Sequence, residues 1–133
     1  MVKIFLTVLI SALGPWGQIN TQQVEEQDVF VPIAKYLQNG DAERLSAWFA
    51  QNLEIGILGV VNVSSKNQAK QVLKDFFNTY TAKSFTMIHK SGTSPMKFAI
   101  GNLSAGGVLF RVTIFVNIQD KGTFIQSLRI ERQ

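Results

Sequence analysis

His89 is the only histidine in the sequence, and there is no cysteine. A lone imidazole cannot build a multi-histidine metal centre. Without thiols there is no zinc ribbon, disulfide or cysteine nucleophile. Proton-transfer chemistry at His89 would need a nearby carboxylate, and an isomerase-like reaction would add a pair of donors for an enolate oxygen. The carboxylates best placed by spacing are Glu54 near the start of a strand, Asp75 beside the apolar stripe of a helix, and Glu131 on a strand. None falls into a pattern with His89, so no catalytic residue, metal or cofactor is assigned. His89, Trp48 and Tyr80 are instead the candidate ligand-binding side chains of a pocket. Arg111 and Arg129 fall on adjacent strands, where Glu131 could pair with them. Lys66, Lys70 and Lys74 recur at helical spacing, but no arginines or aromatics interleave with them as nucleic-acid binding would require. Asn62-Val63-Ser64 and Asn102-Leu103-Ser104 match the glycosylation sequon, a pattern common by chance. No glycine-rich phosphate loop or serine-nucleophile motif is present.

These side chains must be positioned by surrounding elements, and the periodicity supplies them. Phe30, Ile33, Ala34 and Leu37 recur at helical spacing, with Pro32 in the first turn, where proline is tolerated. Asn39-Gly40 ends that helix and Asp41 caps a second, whose buried face reads as Ala42, Leu45, Trp48 and Phe49. Leu53 to Val63, broken by Gly56 and Gly59, reads as two short strands. Ser65 and Gln68 form a capping box opening the clearest helix, with an apolar stripe of Ala69, Val72, Leu73, Phe76, Phe77 and Tyr80. Four strands follow, about 83–90, 97–103, 108–118 and 123–132. The breaks between them are short enough to force antiparallel hairpins.

Strict alternation assigns Phe85, Met87 and His89 to the helix-covered face, together with Phe110, Val112, Ile114, Val116, Phe124, Leu128 and Ile130. It turns Leu109, Arg111, Phe115, Ile125 and Arg129 outward, joined by Ala99 and Leu103. Three helices can cover only one side of a sheet. The outward set therefore predicts a homodimer interface, with Phe115 near its centre.

The order of elements resembles the nuclear-transport-factor-2-like (cystatin-like) fold. The residues also resemble a family of small exported bacterial proteins of unknown function with that fold, common in Bacteroidota. The resemblance rests on Gly40-Asp41-Ala42, Leu53-Glu54-Ile55, Ser65-Lys66 with Gln68-Ala69, Leu73-Lys74-Asp75-Phe76-Phe77, Ser84-Phe85, His89, Ile100-Gly101, Phe110-Arg111-Val112 and Leu128-Arg129-Ile130-Glu131. It implies an α+β, cone-shaped domain: a curved antiparallel sheet packed against three helices. The scaffold serves isomerases, dehydratases, polyketide cyclases and non-catalytic binding modules alike, so the fold alone does not select an activity.

Residues 1–17, with Lys3 and an apolar run from Ile4 to Leu13, read as a signal peptide. That run is about half the roughly 20 residues a membrane span needs. Residues 18–27 read as a polar tether and 28–133 as a single domain, within the usual size of about 100–150 residues. No later hydrophobic run suggests an integral membrane segment, and removing Lys3 leaves a net charge of only +3, from 12 basic and 9 acidic residues. The expectation is an exported, periplasmic or extracellular domain that is not an enzyme and binds a small molecule or a partner protein, with no nucleic-acid partner. The alternative is a small-molecule isomerase, cyclase or dehydratase with a pocket in the cone.

Overall fold

The computed structural model describes residues 28–133. The signal peptide read over 1–17 and the tether over 18–27 lie outside the described residues. Helix α1 (Phe30–Asn39) opens where Asp28 Oδ1 accepts the Phe30 N–H at 2.8 Å. It closes on Gly40, whose φ of 64° is the left-handed conformation that glycine adopts freely. Asp41 then accepts the Arg44 N–H at 3.0 Å and caps α2 (Ala42–Ser46).

That second helix is shorter than its apolar spacing predicts. The N–H groups of Ala47 and Trp48 reach back only three residues, to the carbonyls of Arg44 and Leu45, which tightens the last turn and ends it. Phe49 starts strand β1 (Phe49–Ile57) instead of completing a helix face. Leu58 and Gly59, with φ of 53° and 88°, form a two-residue turn into β2 (Val60–Ser65). The Ser65–Gln68 capping box is made in both directions, at 3.2 Å each, and opens α3 (Lys66–Thr79). Ala69, Leu73, Phe76 and Phe77 are buried on α3, whereas Val72, expected on the same stripe, is 37% exposed at its margin.

Strands β3 (Ala82–Thr93), β4 (Met96–Ala105), β5 (Val108–Gln119) and β6 (Gly122–Arg132) complete a curved six-stranded sheet in the order β2-β1-β6-β5-β4-β3. All neighbours run antiparallel except β1 and β6, which are parallel. The sheet is therefore mixed and not wholly antiparallel as expected. The long stretch of chain between β1 and β6 provides the crossover that a parallel pair requires. Helices α1, α2 and α3 pack on one face. Between them and the sheet lie Ile33, Leu37, Leu45, Leu73, Phe110, Val112, Ile114, Val116, Leu128 and Ile130, all with 0% exposure. Gly101 sits in this face under the ring of Phe85.

The register shifts at several points, and two of the extra residues overturn expected face assignments. In β6, Ser127 pairs with Phe115 while Ile125 pairs with Val116, so Gln126 is a bulge. In β3, Met87 pairs with Gly101 while His89 pairs with Ile100, so Ile88 is a bulge. Each inserted residue reverses the side on which the residues beyond it fall. Ile125 consequently turns into the core at 0% exposure instead of joining an outer interface. His89 goes the other way, out of the helix-covered face, and is exposed. Ala99 and Leu103, expected outside, are also fully buried, because β4 puts Phe98, Ile100 and Asn102 outward.

Candidate functional site

The chemistry of the domain collects on the sheet face that the helices leave open. The register aligns one residue from each strand across it: Ser91, Phe98, Phe115, Ser127, Glu54 and Val63, from β3 through β2. At one end of this row the rings of Phe98 and Phe115 stack with centroids 5.3 Å apart, and the His89 ring lies 5.8 Å from Phe98. Phe115 is 38% exposed and Met96, beside it, 42%.

Past Phe115 the face becomes polar. Glu54 Oε1 accepts three hydrogen bonds, from Ser127 Oγ at 2.9 Å and from Arg129 Nη2 and Nε at 3.0 and 3.2 Å. These bonds, that of Ser127 first and then those of Arg129, hold the Glu54 carboxyl below its ordinary value. Gly56 leaves room for the arrangement. It lies between Arg129 on β6 and Val61 on β2, and a Cβ there would meet Arg129 Cγ at 3.2 Å and Val61 Cγ2 at 3.1 Å. An open groove of about 480 Å³ runs between this ion pair and the aromatic strip, lined by Met96, Thr113, Phe115, Gln126, Ser127 and Glu131 among others.

The three side chains expected to share a pocket are not brought together. His89 stands on the open sheet face. Trp48 follows α2, half-buried, and its carbonyl accepts the Ile125 N–H at 2.6 Å. Tyr80 packs at the end of α3, with ring centroids 5.1 Å from Phe76 and 5.0 Å from Phe110, and its hydroxyl accepts from Arg132 Nη2 at 2.9 Å. Of the expected outer residues, Leu109 (57% exposed), Arg111, Phe115 and Arg129 are on that face, and Ile125 is not. Arg129 pairs with Glu54 on its parallel neighbour instead of Glu131. That partnership escapes sequence reading because it depends on the register of β1 against β6.

The core between the sheet and the helices is apolar. Among the described residues the one buried polar side chain is Ser46, whose hydroxyl donates to the Glu43 carbonyl at 2.8 Å. Among the described residues no cluster of three or more potential ligands is placed to hold a metal, and no helix is long and apolar enough to cross a membrane.

Comparison with solved structures places this architecture among the cystatin-like and NTF2-like folds. A protein of unknown function with a cystatin-like fold from Nostoc punctiforme superposes with a TM-score of 0.64 at 12% identity, over 86% of this chain and 79% of its own. An NTF-2-like protein of unknown function from Silicibacter pomeroyi gives 0.62 at 13% identity, over 85% and 98%. A DUF4783 family protein from Bacteroides uniformis reaches 0.75 at 21% identity, over 80% of this chain and 98% of its own. The family model of the domain of unknown function DUF4783 matches residues 30–131, and the chain belongs to that family. No curated protein matches it.

Proposed function

We propose that the chain is an exported binding module with the cone-shaped form of this fold, and that it holds a partner protein on its open sheet face without catalysing a reaction. The observation that carries this reading is the division between the two sides of the sheet. The helix-covered side is packed with fully buried aliphatic and aromatic residues. The open side presents a stacked Phe98–Phe115 pair, His89 and Met96 beside a hydrogen-bonded Glu54–Arg129 pair. An aromatic centre bordered by polar and charged groups is the usual composition of a protein–protein contact. With Ile125, Ala99 and Leu103 in the core, the face is less apolar than strict alternation predicts, which favours a different protein over a second copy there.

The test is site-specific photo-crosslinking in the native host, with the photoreactive side chain at Phe115 and, as control, at Val31, which is 64% exposed on α1. A discrete adduct at Phe115, absent at Val31 and lost when Arg129→Glu is added, is expected. Equal labelling at both positions would refute the reading. Intact mass of the exported form checks the compartment: a chain beginning between Pro15 and Thr21 is expected, and a full-length mass from the cytoplasm would overturn it.

A further inference from the structure

The two edges of the sheet are built differently. Strand β3 carries Lys83 and Lys90, is bulged at Ile88, and is held by α1, with Lys90 paired to Asp28. Those are the usual devices that stop an edge from pairing with another chain. Strand β2, which touches α3 only lightly, has neither the charge nor the bulge. Its sequence, Val60-Val61-Asn62-Val63-Ser64-Ser65, contains no charge, no proline and no bulge against β1, and Val60, Val61 and Val63 are 65%, 42% and 80% exposed.

From this contrast we infer that β2 is a strand-pairing edge whose occupant is the β2 of a second copy of this chain. Charge and closure select that occupant. Pairing of β3 with β3 would set lysines near lysines. Pairing of β2 with β3 would be head-to-tail and would run on into an open fibre. Only β2 with β2 is uncharged and closes on a two-fold axis.

The hairpin fixes the register. Leu58 and Gly59 form a two-residue turn with positive φ at both positions, so the flanking pair Ile57 and Val60 exchanges both backbone bonds. By alternation so do Ile55 with Asn62 and Leu53 with Ser64, and the backbone groups of Val61 and Val63 point away from β1. Two antiparallel copies satisfy those groups when Val61 of each faces Val63 of the other. The four valines then cluster on the open face, and the two Asn62 residues meet across the axis. The inference does not depend on what the open face binds.

The absence of cysteine gives a clean test. In this register Asn62 meets its copy in a non-hydrogen-bonded pair, with Cα atoms about 4.5 Å apart, within disulfide range. Two copies of Ser64 would stand about 13 Å apart, out of reach. With the protein made from its full coding sequence, Asn62→Cys is expected to form a disulfide-linked dimer under mild oxidation and Ser64→Cys is not. Sedimentation velocity is expected to show a wild-type dimer, an association at least about tenfold weaker for Val63→Lys, and unchanged association for Phe115→Lys. Val63 is so exposed in the monomer that, at concentrations where wild type is monomeric, its lysine variant should unfold like wild type, which separates lost pairing from lost folding. A wild type that stays monomeric at high micromolar concentration overturns the inference. So does a dimer that survives Val63→Lys but not Phe115→Lys, or equal cross-linking at positions 62 and 64.

Discussion

Replacing Gly101 with alanine adds one methyl group at the centre of β4, and the structure gives both the sign and the size of the effect. If the site were open, the change would stabilise the domain by about 0.4–1 kcal/mol, because alanine has less backbone freedom to lose on folding. The site is closed. The new Cβ would lie 2.2 Å from Phe85 Cζ and 2.8 Å from the Thr86 carbonyl oxygen, where carbon contacts normally settle at about 3.5–4.0 Å. The ring could swing away only by breaking its own packing, since Phe85 is 8% exposed. The oxygen belongs to the backbone of β3 and cannot move alone. Overpacking costs about 1–3 kcal/mol, and two obstacles at once put this site near the upper end. For a domain of this size about 3 kcal/mol lowers the melting temperature by roughly 12–24 °C. Circular-dichroism melts of Gly101→Ala, Phe85→Ala and the double variant test the mechanism as well as the magnitude. With the ring removed, the methyl group should cost less, so the double variant should be more stable than the sum of the singles predicts by more than about 0.5 kcal/mol. A Gly101→Ala protein that melts within a couple of degrees of wild type, or strict additivity, would refute the reasoning.

Phe76 is 4% exposed and within 5.4 Å, centroid to centroid, of Phe77, Tyr80 and Phe110, so Phe76→Ala should cost about 3–5 kcal/mol in urea unfolding. Ile125→Lys buries an unpaired charge and should destabilise by at least about 3 kcal/mol, whereas an outward Ile125 would show an unchanged melt. The depressed Glu54 carboxyl contributes stability that is present above its ordinary value of 4.5 and is lost as pH falls through the lower folded value. A Glu54→Gln variant should therefore show a smaller stability loss than wild type on acidification below that pH, seen in urea midpoints. His89→Gln should leave the melting temperature unchanged, because the ring is exposed and lies tilted against Phe98 without stacking on it.

Local signals carried the sequence reading furthest. The Ser65–Gln68 box, the Gly40 cap and the Asp41 cap each depend on residues within four positions, and all three are in place. The α2 end was misplaced because Trp48 and Phe49 satisfy helical spacing and strand burial equally well. Face assignments in β5 held, since that strand alternates from Val108 to Val116 without interruption. They failed for His89 and Ile125 because a bulge is a property of the pair of strands, and nothing in either strand alone marks Ile88 or Gln126 as the extra residue. The Glu54–Arg129 pair was missed for a related reason. Its members stand 75 positions apart and meet only through the parallel register of β1 and β6. Gly56 was legible as a break but not as the space that lets Arg129 cross.

The place of β6 in the sheet also shapes how the domain must assemble. The β1–β2 hairpin is synthesised early and the β3–β4–β5 meander later, yet the two share no strand pairing with one another. Strand β6 alone splices them, bonding to β5 on one side and β1 on the other. Without it the two pieces of sheet share no strand, and the core lacks Ile125, Leu128 and Ile130, each fully buried in the folded domain. Such dependence on distant pairing slows folding. A truncation that removes β6 should therefore leave a protease-sensitive chain with two unjoined pieces of sheet in place of a smaller stable domain.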